Sequence, residues 1–317
     1  MYDHGLDLTA EKTELVIVTK KYIPLQIPMK VGSAVTTTKA AIKHLSIWMD
    51  NRLSFHKQLK QAADKAASVT SALSRLMVNV SGPRPSKCRL LMTVAQSIML
   101  YGAGIWADAL KKKTHCKLLA VSQRRGALRI ACAYRTVSEP AILVIAGTIP
   151  IDLLAQEKKK VFLRKTEVTK AVAKAEARAA TMEEWQQRWS LDHLGRWTNR
   201  LISELSNWLN RRHGETYYYL TQFLSGHSYF RDYLYKRGKV SSPKCGYCKE
   251  EEDDPKHTFF ESDRWSDLKH RLESKIEEII PDNVVELMLL NEEWWEKVAT
   301  YVETILRKKK QEGQLSG

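Results

Sequence analysis

Between Ser54 and Met77 the apolar residues Leu59, Ala63, Ala66, Leu73 and Leu76 recur at three- and four-residue intervals or their sums. That spacing lines one face of an amphipathic helix and does not suit a strand, whose side chains alternate with a period of two. Further helical segments are expected at about 86–110, 117–132, 138–147 and 150–180. Breaks fall at Ser81-Gly82-Pro83, at Lys111-Lys112-Lys113-Thr114, at 134–137 and at Gly147-Thr148-Ile149-Pro150. The opening segment reads differently. An apolar run at 15–18, the Pro24 and Pro28 pair, and a second run at 42–49 holding Leu45, Ile47 and Trp48 suggest strands and turns, like the edge of a sheet. The expected fold is mainly α with a small α+β edge.

A chain of 317 residues, 44% of them hydrophobic, can bury a substantial core, and its length favours two domains or sub-domains. It is neither a disordered tail nor a collagen-like fibre. The formal charge is +15, and it is regional: Lys and Arg outnumber Asp and Glu in every fifty-residue block from 51 to 250, and the balance reverses over 251–300. A basic surface of this extent points to a polyanionic partner. The five cysteines, Cys88, Cys116, Cys132, Cys245 and Cys248, are sparse and odd in number, and no secretory leader precedes them. An intracellular location, nuclear or cytoplasmic, is expected, with the chain not secreted. The uncharged stretch 90–107 has nearly the length of a membrane span, but Thr93, Gln96, Ser97, Gly102 and Gly104 interrupt it. It reads as a buried core helix, with no membrane partner.

Residues 171–180 are Ala-rich with interspersed charge and suggest a solvated helix or connector. The block 181–240 is dense in aromatics. Trp197, Leu201, Leu205 and Trp208 sit at helical spacing, which favours core packing over stacking on bases. An acidic amphipathic stretch with Trp294, Trp295, Val298, Tyr301, Val302 and Ile305 follows the cysteines.

The sharpest local signal is Cys245-Gly-Tyr-Cys248, followed after eight residues by His257. A Cys-x2-Cys turn sets two thiolates on one side of a cation, and a later His completes a third corner of a zinc site. A fourth Cys would follow after four more residues, but the chain has Ser262 there, between Glu261 and Asp263. A carboxylate such as Asp263 is a weaker substitute ligand. A chance pair in a turn, and a knuckle that no longer closes, remain open as alternatives. For nucleic acid, four basic clusters fall within about 80 residues: Arg84, Lys87 and Arg89; Lys111, Lys112 and Lys113; Arg124, Arg125 and Arg129; Lys158, Lys159 and Lys160. A charge run is commonly a solvated face, but here few acids intervene, and Arg125 and Arg129 share a helix face. No phosphate-cradling Gly-rich loop or nucleophile elbow is present, and the adjacent aspartates Asp253-Asp254 lie within the Cys/His loop. Two-metal chemistry needs converging carboxylates, and the sequence offers no such motif, so magnesium is not expected to bind.

Several strings together resemble the reverse transcriptase of LINE-type (non-LTR) retrotransposons, most like the elements inserting into insect ribosomal DNA. They are Gly5-Leu6-Asp7-Leu8 with Glu11-Lys12-Thr13-Glu14; Ile42-Lys43-His44-Leu45-Ser46-Ile47-Trp48-Met49-Asp50; Gly82-Pro83-Arg84; Leu100-Tyr101-Gly102-Ala103-Gly104-Ile105-Trp106; Ala133-Tyr134-Arg135-Thr136; Gly195-Arg196-Trp197; Leu220-Thr221-Gln222-Phe223; and the Cys/His loop. The resemblance covers nearly the whole chain. It implies that 1–50 is the end of a polymerase palm, downstream of the catalytic aspartates, with Lys12 matching the motif after the active site. Leu45, Ser46 and Ile47 would match a primer-grip strand in which the family usually has Gly at position 46. Residues 51–180 would be a helical thumb and connector holding template–primer duplex, RNA or DNA. An aromatic-rich helical region (181–240), a zinc-knuckle-like loop (241–265) holding zinc through Cys245, Cys248 and His257, and acidic C-terminal helices (266–317) would complete the chain. The aromatic-x-Asp-Asp motif, the fingers and the endonuclease are not in it, so activity in isolation is not expected. Two other readings stand beside a truncated reverse transcriptase: a polymerase piece needing a partner chain, and a domesticated nucleic-acid-binding or interaction module.

Overall fold

The structure, a computed structural model, describes residues 12–21, 24, 26–32, 34–78, 83–249 and 251–315. The resemblance string Gly5–Leu8, Glu11 and the Ser81-Gly82 break lie outside them. Two antiparallel hairpins come first: β1 (Pro28–Val31) with β2 (Ala34–Thr37), and β3 (Ala41–His44) with β4 (Ile47–Asp50), the second in the register Ile42 opposite Met49. The small sheet edge expected from the sequence is therefore a pair of separate two-stranded ribbons.

After β4 the described residues are mainly helical. Asp50 organises the entry: its carboxylate accepts the backbone N–H groups of Arg52, Ser54 and Phe55 and the Ser54 hydroxyl. Helix α1 (His56–Ser74) then buries Leu59, Ala62, Ala63, Ala66 and Thr70, the stripe its periodicity predicts. It ends one residue before Arg75, so Leu76 is exposed and Met77 takes the buried place.

The expected single helix over 90–107 is broken. Helix α2 (Pro85–Met99) stops at a turn through Gly102, and a short helix α3 (Ala103–Trp106) and a 3-10 turn (Ala107–Lys111) follow. Gly102 has φ +68°, and a Cβ there would lie 2.4 Å from Ile47 Cδ1. Glycine is thus needed twice, for the left-handed backbone and for the close seat of β4 on the helices. Nor is α2 fully buried, since Leu90 and Val94 face outward. Among the described residues no single helix is long and apolar enough to cross a membrane.

Helix α4 (Lys113–Ile130) packs on α1 and α2, and α5 (Glu139–Ala146), apolar beyond Glu139, buries all of 141–146. The helix expected over 150–180 is two: α6 (Ile151–Arg164) and α7 (Lys170–Leu191). The Ala-rich stretch is a helix exposed over most of its surface, as expected, but packed on one side. Ala173 and Ala177 are buried because their small side chains let α7 lie close against α6, and Arg178–Glu157 and Arg188–Asp152 pairs flank the contact. Helix α7 also runs straight through residue 180.

Residues 196–209 form two short helices, α8 (Arg196–Leu201) and α9 (Leu205–Leu209), and Leu201, Leu205 and Trp208 are core, as their spacing suggests. Helices α10 (Tyr218–Ser225) and α11 (Arg231–Tyr235) lead to the Cys/His loop, and α12 (Ser266–Glu273), α13 (Val284–Leu290) and α14 (Glu292–Leu315) close the chain. The acidic C-terminal stretch is no free tail, because α14 buries Trp295, Val298, Val302, Ile305 and Leu306. One core joins Met77, α5, the tryptophans of α7 and α9, Phe223, Phe259 and α14; a second joins Ile47, α1, α3 and the start of α6. Helices α2 and α4 contribute to both.

Candidate nucleic-acid interface and metal centre

Between the C-terminal end of α1 and the outer face of α4 lies a groove of about 1100 Å³. Five arginines line it: Arg75 from the end of α1, Arg124, Arg125 and Arg129 from α4, and Arg135 from the turn beyond α4. Thr70, Ser71, Ser74 and Thr136 add hydroxyls, Tyr134 and Tyr233 form one end, and among the described residues no acidic side chain borders it. Arg125 and Arg129 share this face, as their spacing of four predicts. Arg124 is spent differently. Its Nη2 donates to the carbonyls of Arg135 and Val137, 2.6 Å each, and so pins the turn that presents Arg135.

The aromatic end of the groove is a packed column. Tyr233 stacks on His227 at 4.8 Å and lies near-parallel to Tyr134 at 6.3 Å. The Thr136 hydroxyl and the Tyr233 hydroxyl are 2.8 Å apart. Burial, with Arg237 and Lys236 nearby, pushes the His227 pKa down to about 4, so that ring is neutral near pH 7. The groove therefore offers guanidinium groups and hydroxyls, the donors that meet phosphate oxygens.

The other basic clusters separate. Lys111 and Lys159 both pair with Asp108, which draws the Lys111–Lys113 and Lys158–Lys160 clusters together; Lys112, Lys113, Lys158 and Lys160 are exposed around that contact. Chiefly the Lys159 bond, against a small opposing effect of burial, holds the Asp108 pKa at about 2. Arg84 and Lys87 are exposed at the first turn of α2, and Arg89 is half-buried.

Cys245, Cys248 and His257 come together as the sequence predicts, with a ligand atom from each within 4.8 Å of the others. Cys248 Sγ is 3.6 Å from His257 Nε2. The loop is built for this: Lys244 and Glu252 form an antiparallel bridge, Cys245 N donates to Glu251 O, and Lys249 N closes the Cys-x2-Cys turn on Cys245 O. His257 opens a π-turn (His257–Glu261), with Ser262 N donating to His257 O, so the widened turn returns the chain past His257 at position 262. His257 Nδ1 lies 2.6 Å from Glu251 Oε2, and Glu251, His257 and Glu261 form a second metal-capable set. Asp263, the expected substitute ligand, belongs to neither set among the described residues. It starts a 3-10 turn and is exposed, and Glu251 is the carboxylate beside the histidine.

Asp253 and Asp254 have structural partners. Asp253 is buried against Lys309 of α14, with oxygens 2.5 and 2.7 Å from Nζ, and it accepts Thr258 Oγ1 and Arg231 N. Asp254 accepts the His257 N–H.

No model of a known protein family matches the chain, and no solved structure matches it. Curated proteins do. Over 285 residues the chain is 25% identical to the Retrovirus-related Pol polyprotein from type-1 retrotransposable element R1 of Bradysia coprophila, covering 83% of this chain and 28% of that protein. It is 23% identical over 278 residues to the corresponding R1 2 polyprotein of Nasonia vitripennis, covering 80% of this chain and 67% of that protein. A putative 115 kDa protein in the R1DM element of Drosophila melanogaster is 24% identical over 294 residues. The chain is a homologue of the insect R1 non-LTR retrotransposon Pol polyproteins.

This R1 homologue spans about a quarter of the Bradysia protein's length. Lys12 is exposed in it. Leu45 and Ser46, matched to a strand by the resemblance, instead form the two-residue apex of the β3–β4 hairpin, with φ +44° and +67°. A two-residue hairpin loop needs left-handed backbone to follow the strand twist, and this turn takes it. Leu45 is exposed, its carbonyl accepting the Tyr101 hydroxyl, and Ile47 is buried. Arg75 and Arg135 were not among the basic clusters. A lone arginine carries no cluster signal: Arg75 meets the α4 arginines only through the packing of α1 on α4, and Arg135 through the turn that Arg124 pins.

Proposed function

We propose that this R1 homologue is a reverse-transcriptase-derived segment that grips nucleic acid by its backbone, with the α1–α4 groove as the principal contact and template–primer duplex as the ligand. The observation that carries this reading is the groove itself: five guanidinium groups and four hydroxyls around one space, without a carboxylate among the described residues. Such a surface neutralises phosphates and releases counterions, and it reads no base. The stacking of Tyr233 on His227 argues in the same direction, since that contact already occupies the ring.

Zinc is the metal proposed for the Cys/His set. With Zn–S ~2.3 Å and Zn–N ~2.0–2.1 Å, tetrahedral geometry separates sulfur from nitrogen by about 3.6 Å, the separation found between Cys248 and His257. When bound, zinc would hold the loop closed. Neither metal-capable set among the described residues pairs two aspartates, so the segment is proposed to hold a template–primer rather than extend it.

The test is fluorescence anisotropy on a B-form duplex across a salt series. If Arg75, Arg125, Arg129 and Arg135 each neutralise one phosphate, log K falls against log salt with a slope of about −3.6, and Arg125→Gln with Arg129→Gln reduces it to about −1.8. An unchanged slope in that double variant would place the contact elsewhere. On a primed RNA template with dNTPs and magnesium, no extension above a protein-free control is expected.

A further inference from the structure

A second concentration of arginine lies outside the groove, and only Arg89 of it belongs to a cluster read from the sequence. Arg211 and Arg212 follow α9, and the fold brings them against Arg89 of α2, more than a hundred residues earlier in the chain; the three border a cavity of about 430 Å³. Arg211 is unusual in its surroundings. Its guanidinium lies 4.0 Å from the centroid of Trp208, with Trp295 at 5.5 Å, and its Nε and Nη1 donate to the carbonyls of Gly214 and Trp208. No carboxylate lies within ion-pair distance of Arg211, Arg89 or Arg212 among the described residues. Burial, and then the charge of Arg89, push the Arg211 pKa down to about 10.

Two acids border the same cavity, Glu215 and Glu292, and among the described residues neither is within ion-pair distance of its arginines; Glu215 turns its Oε2 to the backbone N–H of Ser86 at 3.1 Å, in the first turn of α2. Three guanidinium groups thus surround a nucleotide-sized space with no ion pair of their own. A guanidinium held flat on an indole and tied by two carbonyls has little side-chain freedom left to lose, and it presents its remaining donors in a fixed plane suited to an oxyanion.

We infer that Arg89, Arg211 and Arg212 form a second anion site that takes a phosphate group of a nucleic-acid strand, with Glu215 occupying the ground that the phosphate enters. The choice of a nucleic-acid phosphate rests on the reading above, whereas the site is separate from the α1–α4 groove. A duplex is too wide for a cavity of this size; a terminal phosphate, or one backbone phosphate of a single strand, fits it.

The experiment uses the full chain and two fluorescent single-stranded ten-mers, one with a 5′-phosphate and one with a 5′-hydroxyl. Arg89→Gln with Arg212→Gln avoids Arg211, whose loss would disturb the tryptophan stack. It is expected to weaken binding of the phosphorylated strand at least about tenfold, the scale of one lost charge-assisted hydrogen bond. Glu215→Gln keeps an acceptor for Ser86 and removes a competing charge, so it is expected to strengthen binding several-fold. The groove variant Arg125→Gln with Arg129→Gln separates the two readings: it should lower both affinities and leave the ratio between the two strands intact. A selective loss for the phosphorylated strand identifies a terminal phosphate, and an equal loss for both identifies a backbone phosphate. Unchanged affinities in the folded Arg89→Gln, Arg212→Gln protein, or weaker binding in folded Glu215→Gln, overturn the site, whatever the groove variant does.

Discussion

Ser46 sits at φ +67° beside Leu45 at φ +44°, at the apex of the hairpin that seats Ile47 on Gly102. An L-residue in the left-handed region crowds its Cβ against the following carbonyl, at a cost of roughly 1–2 kcal/mol, and glycine escapes most of it. Ser46→Gly is therefore expected to stabilise the chain by about 1 kcal/mol, after the larger unfolded-state entropy of glycine is set against the relief. The check is the denaturant midpoint at constant slope; a lower midpoint would mean that the serine hydroxyl contributes more than the strain costs. Arg124 shows the same dependence on environment. By composition it belongs with Arg125 and Arg129, yet its Nη2 is committed to two carbonyls and its neighbours' groups are not. Spacing identified the face correctly but could not say which guanidinium the local backbone would claim.

At the scale of elements, the Cys/His loop is the most legible feature and also the most incomplete. Cys-x2-Cys with a later His encodes its own convergence, because four residues around a turn bring the thiols together whatever the rest of the fold does. Ser262 then leaves the last corner open, while the π-turn still returns the chain past His257. Ser262→Cys is expected to raise zinc affinity and protect the loop from proteolysis, and Cys248→Ser to abolish binding, since metal and loop folding are coupled. Zinc content under chelator competition measures all three proteins. Equal retention by the parent and Ser262→Cys would show that the parent already has four ligands. Helix breaks were less legible than helices: the turn after α2 was missed because the need for Gly102 lies in Ile47, more than fifty residues earlier.

Across the whole molecule, the Cys/His loop is tied to the C-terminal helix by several contacts, two of them buried. Tyr301 donates to the Phe259 carbonyl at 2.6 Å, and Lys309 meets Asp253 with both side chains largely buried. Removing one partner of such a pair leaves the other charge without compensation, a loss of about 3–5 kcal/mol. Lys309→Ala is expected to destabilise the protein on that scale and to open residues 241–265 to protease, whereas Lys309→Ala with Asp253→Ala should recover part of the loss. Thermal unfolding of the three proteins tests it, and full additivity of the two single changes would remove the ion pair as the cause.

The amino-acid sequence alone determined the mainly helical class, the stripe on α1, the core role of Leu201, Leu205 and Trp208, and the Cys245, Cys248 and His257 trio. Each depends on residues within one or two turns of each other, and short-range spacing is what a helix or a tight turn reads. The tertiary structure decided the rest: Arg75 joining the α4 arginines, the Ala173 and Ala177 face closing on α6, Asp253 meeting Lys309, and Arg89 meeting Arg211. Those partners are separated by many residues along the chain, and they meet only because burying the apolar faces of α1, α4, α7 and α14 fixes where the polar faces come to lie.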